Sequence, residues 1–145
     1  MKRLGVTLVG ILACALAAVA VAGGGLLSAD DAARRVKNGE ITVIDVRSPG
    51  EWRQTGTALG AKRITIHDPG GANGFLRHMV AAVDGDRGRP IALICARGNR
   101  STRAYDFLTQ NGFTNVHNIV EGMLGNRTDP GWIARGLPVV PCPSC

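Results

Sequence analysis

The apolar run Ile91-Ala92-Leu93-Ile94 leads straight into Cys95-Ala96-Arg97-Gly98-Asn99-Arg100-Ser101, and a helical pattern follows through Leu108. A short apolar run of this kind reads as a buried strand. It ends on a cysteine, which it delivers to a small polar loop with two arginines at a helix N-terminus. Inward-turned loop N–H groups and the helix dipole together make an anion cradle. Such surroundings favour the thiolate, the form of cysteine that attacks. Gly98 supplies the backbone freedom that a tight loop needs. Strand, loop and helix are therefore expected to present one sulfur, that of Cys95.

The flanking segments extend this pattern. Ser28-Ala29-Asp30-Asp31 opens a helix that ends at Asn38-Gly39, with Ala32, Ala33 and Val36 on its apolar face. Ile41 to Val46 is a β-branched strand, and Ser48-Pro49-Gly50-Glu51-Trp52-Arg53 is a break followed by one helical turn. A second strand is expected at Arg63–Ile66. A helix runs from about Phe75 to Val83, and a further strand spans Asn115–Ile119. Leu137–Val140 is a terminal extended piece. Strands alternating with helices imply an α/β domain in three layers, a mostly parallel sheet with helices on both faces. Reactive loops in such sheets lie beyond the C-terminal strand ends, where Cys95 falls.

Composition limits the partners. At 145 residues and 45% hydrophobic, the chain can bury one core, so one domain is expected. Its net charge is +6; without Lys2 and Arg3, 15 basic residues face 11 acidic ones, a net +4. The charges are scattered and only 4% of residues are aromatic, which argues against a nucleic-acid surface. A modest positive field favours small anions. His67, His78 and His117 have no ligand spacing, and no second cysteine pair completes a zinc site, so no metal and no cofactor is expected.

Lys2-Arg3 precede an uncharged run from Leu4 to Leu27, with Ala20-Val21-Ala22 as a small-residue cleavage site. Residues 1–22 read as a secretory leader or, uncut, as an N-terminal anchor; membrane contact is expected only in the second case. Either reading puts the domain, residues 28–140, outside the cytoplasm, in the periplasm or exported. Cys14 leaves with a cleaved leader. The tail, residues 141–145, carries Cys142-Pro143-Ser144-Cys145, which reads as a local disulfide, a frayed end, or a redox pair acting on a modified Cys95.

Cys95 to Arg100 is C-x-x-x-x-R, and this loop resembles the active loop of single-domain rhodaneses, the thiosulfate sulfurtransferase family. Ile44-Asp45-Val46-Arg47-Ser48-Pro49-Gly50-Glu51-Trp52 resembles the family's early D-V-R-x-x-x-E-[WYF] segment. Gly60-Ala61-Lys62-Arg63-Ile64 is similar to its G-A-x-x-I. Glu121-Gly122 with Trp132 to Val139 is similar to its closing G…W…G-L-P-V signature. The four matches occur in order from about Ser28 to Val140. Thr57 stands where the family often has histidine, and the Gly122–Trp132 interval is long, carrying Asn126-Arg127-Thr128-Asp129-Pro130 at the pocket rim.

The resemblance implies a two-step transfer in which Cys95 takes sulfane sulfur from a small anionic donor such as thiosulfate. The resulting persulfide then gives the sulfur to cyanide or an acceptor thiol. Ala96, Arg97, Gly98, Asn99, Arg100 and Ser101 are expected to bind the substrate. Arg100 is divided between that role and tying the loop down. Asp45, Arg47 and Glu51 are expected as a supporting ion-pair cluster, and Trp52 and Trp132 as core. Two other classes compete. A cysteine phosphatase or arsenate reductase uses a C-x5-R loop, one residue longer. A non-catalytic binding or sulfur-carrier module commonly lacks the cysteine.

Overall fold

The computed structural model describes residues 23–145; the leader or anchor read over residues 1–22, and Cys14 with it, lies outside the described residues. In chain order the elements are β1 (Gly25–Leu26), α1 (Ala29–Lys37), β2 (Thr42–Asp45), α2 (Pro49–Thr55), β3 (Thr57–Ala58), β4 (Lys62–Arg63), α3 (Gly71–Ala82), β5 (Ile91–Ile94), α4 (Asn99–Gln110), β6 (Val116–Ile119) and β7 (Val139–Val140). Five strands form a parallel sheet in the order β1-β6-β5-β2-β4, and β3 and β7 make a separate antiparallel pair.

Residues alternate across the sheet with period two. Ile44, Val46, Ile91, Leu93 and Cys95 face a layer containing Phe75 and Met79 of α3 and Ala104 and Leu108 of α4. Val43, Ala92, Ile94 and Ile119 face the opposite layer, with Ala29 and Ala32 of α1, Met123 and Trp132. All four residues of β5 are buried, as a central parallel strand covered on both faces requires. Each large apolar side chain buried this way contributes about 1.5–3 kcal/mol before entropy is counted.

Local signals explain most helix boundaries. Ser28 caps α1 by accepting from the Asp31 N–H. At α2 the expected single turn is a helix of seven residues, because Ser48 and Glu51 form a reciprocal capping box and Pro49 presets the first turn. Gly112 follows the end of α4 with φ 84°.

Three departures involve partners distant in sequence. Gly25–Leu26, inside the apolar N-terminal run, adds to β6 as an edge strand. The strand expected at Arg63–Ile66 keeps regular pairing only at Lys62–Arg63, although Ile64 and Ile66 still donate to the Asp45 and Val46 carbonyls. The extended piece before Pro141 finds its partner in β3, a stretch read as loop. Cys142 and Cys145 form the local disulfide. Among the described residues no helix is long and apolar enough to cross a membrane.

Candidate active site

Cys95 follows β5 directly and is 1% exposed. Its Sγ accepts the Gly98 N–H at 3.1 Å, and its S–H lies 3.5 Å from Ser101 Oγ. Ser101 Oγ donates in turn to the Gly98 carbonyl at 3.0 Å, and Thr102 Oγ1 donates to the same oxygen at 2.8 Å. The loop thus folds back around its own sulfur. Gly98 is the N-cap of α4, in the left-handed region at φ 93°, and no side chain caps this end of the helix. The first-turn N–H groups of Asn99, Arg100 and Ser101 have no intrahelical acceptor and remain available to an anion beside the sulfur.

The loop rests on the turn at residues 121–124. Met123 N–H donates to the Cys95 carbonyl at 2.8 Å and Leu124 N–H to that of Ala96 at 2.9 Å. The approach is close enough to demand glycine twice. A Cβ on Gly98 would lie 2.3 Å from the Val120 carbonyl oxygen, and one on Gly122 would lie 2.5 Å from that of Ala96.

The expected supporting cluster is two separate pairs. Arg47 holds Asp45 through Nε at 2.9 Å and Nη2 at 2.7 Å, with both side chains essentially fully buried. Its remaining donors reach Thr55 Oγ1 and the Gly56 carbonyl, both at 2.7 Å. Glu51 pairs instead with Arg100, Oε2 accepting at 2.7 Å and Oε1 at 2.5 Å. Arg100 therefore clasps α4 to α2.

Hydrogen bonding from Arg100, opposed by partial burial and helped by the Ser48 N–H and hydroxyl, holds the Glu51 carboxyl at about 2. The folded value lies below the usual 4.5, so the stabilisation is complete above about pH 4.5 and is lost as pH falls towards 2. Solvent partly screens this partly buried pair, which leaves roughly 1–2 kcal/mol. Glu51→Gln is expected to lower the melting temperature at pH 7, with the difference from wild type closing between pH 4.5 and 2. Thermal unfolding across that range checks it, and a difference independent of pH would contradict the assignment.

Arg97 points the other way. Its one hydrogen bond is from Nη1 to the Gly125 carbonyl at 3.1 Å, and it lines an open cleft of about 660 Å³ with Asn99, Asn126, Arg127 and Thr128. The sequence marks Arg127 only as part of the long Gly122–Trp132 interval at the rim; the fold places it in the lining of the same cleft as Arg97. Of the other loop residues, Gly98 and Ser101 contact the sulfur, Asn99 lines the cleft, and the Ala96 carbonyl is taken by the Leu124 N–H. Trp52 and Trp132 are core. His117 sits on β6 beside Arg35, where burial and that cation lower its pKa, and it takes no part in the loop.

Residues 28–126 match the family described as Rhodanese-like domain. An uncharacterised protein of Rickettsia conorii is 32% identical over 105 residues, covering 71% of this chain and 85% of its own length. The solution structure of the polysulfide-sulfur transferase homodimer of Wolinella succinogenes is similar at TM-score 0.61 and 27% identity, covering 83% of this chain and 81% of that one. A rhodanese-related protein of Thermoplasma volcanium is similar at TM-score 0.57 and 32% identity, covering 80% and 97%.

Proposed function

Because the chain belongs to the rhodanese-like domain family, we propose that it is a sulfurtransferase that carries sulfane sulfur on Cys95 from an anionic donor such as thiosulfate to cyanide or a thiol. The observation that carries this reading is the Cys95 sulfur at the uncapped N-terminus of α4, bonded by the Gly98 N–H, with Arg97 and Asn99 of the same loop lining an open cleft.

The chemistry follows from those contacts. Cys95 loses its proton through Ser101 and solvent, and the thiolate attacks the outer sulfur of thiosulfate. A new S–S bond forms, the donor's S–S bond breaks, and sulfite leaves with the electron pair. The persulfide's negative outer sulfur then sits in the field of the α4 N–H groups, which are already oriented and need no rearrangement. Cyanide attacks that sulfur, thiocyanate departs, and the Cys95 thiolate returns. A covalent enzyme intermediate of this kind implies ping-pong kinetics. The four-residue interval between Cys95 and Arg100 suits sulfur better than the tetrahedral oxyanion that a longer loop wraps.

Intact-protein mass spectrometry after thiosulfate tests the proposal. The expected result is a gain of one sulfur on Cys95, lost on adding cyanide. No gain on the folded, reduced protein would overturn it. Arg97 is read as the donor's sulfonate ligand, worth one charge-assisted hydrogen bond. Arg97→Ala should therefore raise KM for thiosulfate about tenfold with kcat little changed. An unchanged KM in steady-state assays would remove Arg97 from the substrate site.

A further inference from the structure

The Cys142–Cys145 disulfide has no part in the chemistry above, yet a cation is held against it. Arg63, on edge strand β4, directs Nη1 at both sulfurs, touching Cys142 Sγ and lying 2.8 Å from Cys145 Sγ. Among the described residues Arg63 has no carboxylate partner. Arg53 of α2 donates to the Cys145 carbonyl at 2.5 Å and keeps the segment against the domain. Two arginines from separate elements thus converge on this pair.

A structural staple is a poor account of this arrangement. The bridge closes a loop of sequence separation 3, where the loop-closure entropy removed from the unfolded chain is least. A guanidinium does little for a neutral disulfide. It does much for a thiolate, because the negative sulfur then has a charge-assisted donor already in position. The two sulfurs also differ in exposure. Cys142 is only 8% exposed, at the wall of an open cleft it lines with Gln54, Gly56, Val139 and Pro141, whereas Cys145 is half-buried and so the more exposed of the two.

We propose that Cys142–Cys145 is a thiol–disulfide exchange site, separate from Cys95, whose substrate is a dithiol and whose reduced form is stabilised by Arg63. One thiolate of the dithiol attacks the accessible Cys145 sulfur. The Cys142–Cys145 bond breaks, and Cys142 leaves as a thiolate held by Arg63. The second thiol of the substrate then attacks the mixed disulfide and releases Cys145. The dithiol is oxidised to a disulfide, the cysteine pair is reduced by two electrons, and the two substrate protons pass to the cysteines and solvent. Stabilising the reduced pair makes the disulfide the more oxidising partner.

The test is equilibration of the full domain in buffers of reduced and oxidised dithiothreitol, followed by alkylation and mass spectrometry. Wild type is expected to reduce and reoxidise reversibly with its circular dichroism unchanged. Arg63→Gln should need about a tenfold higher ratio of reduced to oxidised reagent, one unit of differential thiolate stabilisation. Arg63→Lys should recover part of that change, since it keeps a cation. A wild-type pair that resists reduction, one whose reduction unfolds the domain, or an Arg63→Gln equilibrium equal to wild type would each overturn the proposal. The double variant Cys142→Ser/Cys145→Ser should still load sulfur on Cys95, so this site and the transferase reading fail separately.

Discussion

Cys95→Ser is expected to lower sulfur transfer by at least about a thousandfold, because the variant lacks the only described atom positioned to carry the sulfur. The effect should fall on chemistry and leave the fold intact. Serine is slightly smaller than cysteine, and its hydroxyl oxygen can accept the Gly98 N–H that now meets the sulfur at 3.1 Å. The melting temperature should correspond to a change within about 1 kcal/mol. Steady-state assay with thiosulfate and cyanide, together with thermal unfolding, separates the two effects. Turnover near the wild-type rate would remove the covalent mechanism. If serine at this position proves destabilising, Cys95→Ala takes its place, and it should gain no sulfur by mass after thiosulfate.

The second large effect concerns the support beneath the loop. Asp45→Asn should destabilise the domain by about 3–5 kcal/mol, lowering the melting temperature by roughly 10–20 °C. Arg47 is 1% exposed and Asp45 fully buried, so losing the carboxylate leaves a guanidinium in the interior with no counter-charge. Asparagine keeps one acceptor oxygen but turns an NH2 group towards the same donors. The cost is that of an unpaired buried charge, and it exceeds the net value of the pair. Replacing both members, Asp45→Leu with Arg47→Met, should therefore recover part of the loss, though the Gly56 carbonyl that Arg47 now satisfies would be orphaned. Urea unfolding of the three proteins measures this. A single variant within about 1 kcal/mol of wild type would show that water reaches the pair.

These two predictions divide the site. In the proposed reaction Cys95 carries the sulfur, whereas Asp45 with Arg47 holds the β2 end against which the loop strand lies. Arg100 belongs to the second group through Glu51, and Arg97 is proposed for the first. Two arginines three residues apart take different places because α4 begins between them. Arg97 lies in the loop before the helix, whereas Arg100, in its first turn, turns towards α2.

What could be read along the chain was whatever a short window encodes. The apolar run of β5, the glycine at the head of α4, the Ser28 cap of α1 and the alternation of strands and helices are each decided by neighbours within about a turn or a strand length. So is the C-x-x-x-x-R spacing that distinguishes this loop from longer ones. Those signals placed Cys95 at a strand end before a helix, and they implied the three-layer fold.

The remainder depended on contacts between distant residues. Glu51 meets Arg100 across 49 positions, and Arg63 meets Cys142 across 79. The same is true of β1 on β6, of β3 with β7, and of Arg127 joining Arg97 in the lining of the cleft. Sequence determined that carboxylates and guanidiniums would be present near the loop. Only the tertiary structure decided which paired with which, because Coulomb attraction and hydrogen bonding act through space, and the order of strands in the sheet sets which distant side chains come within reach.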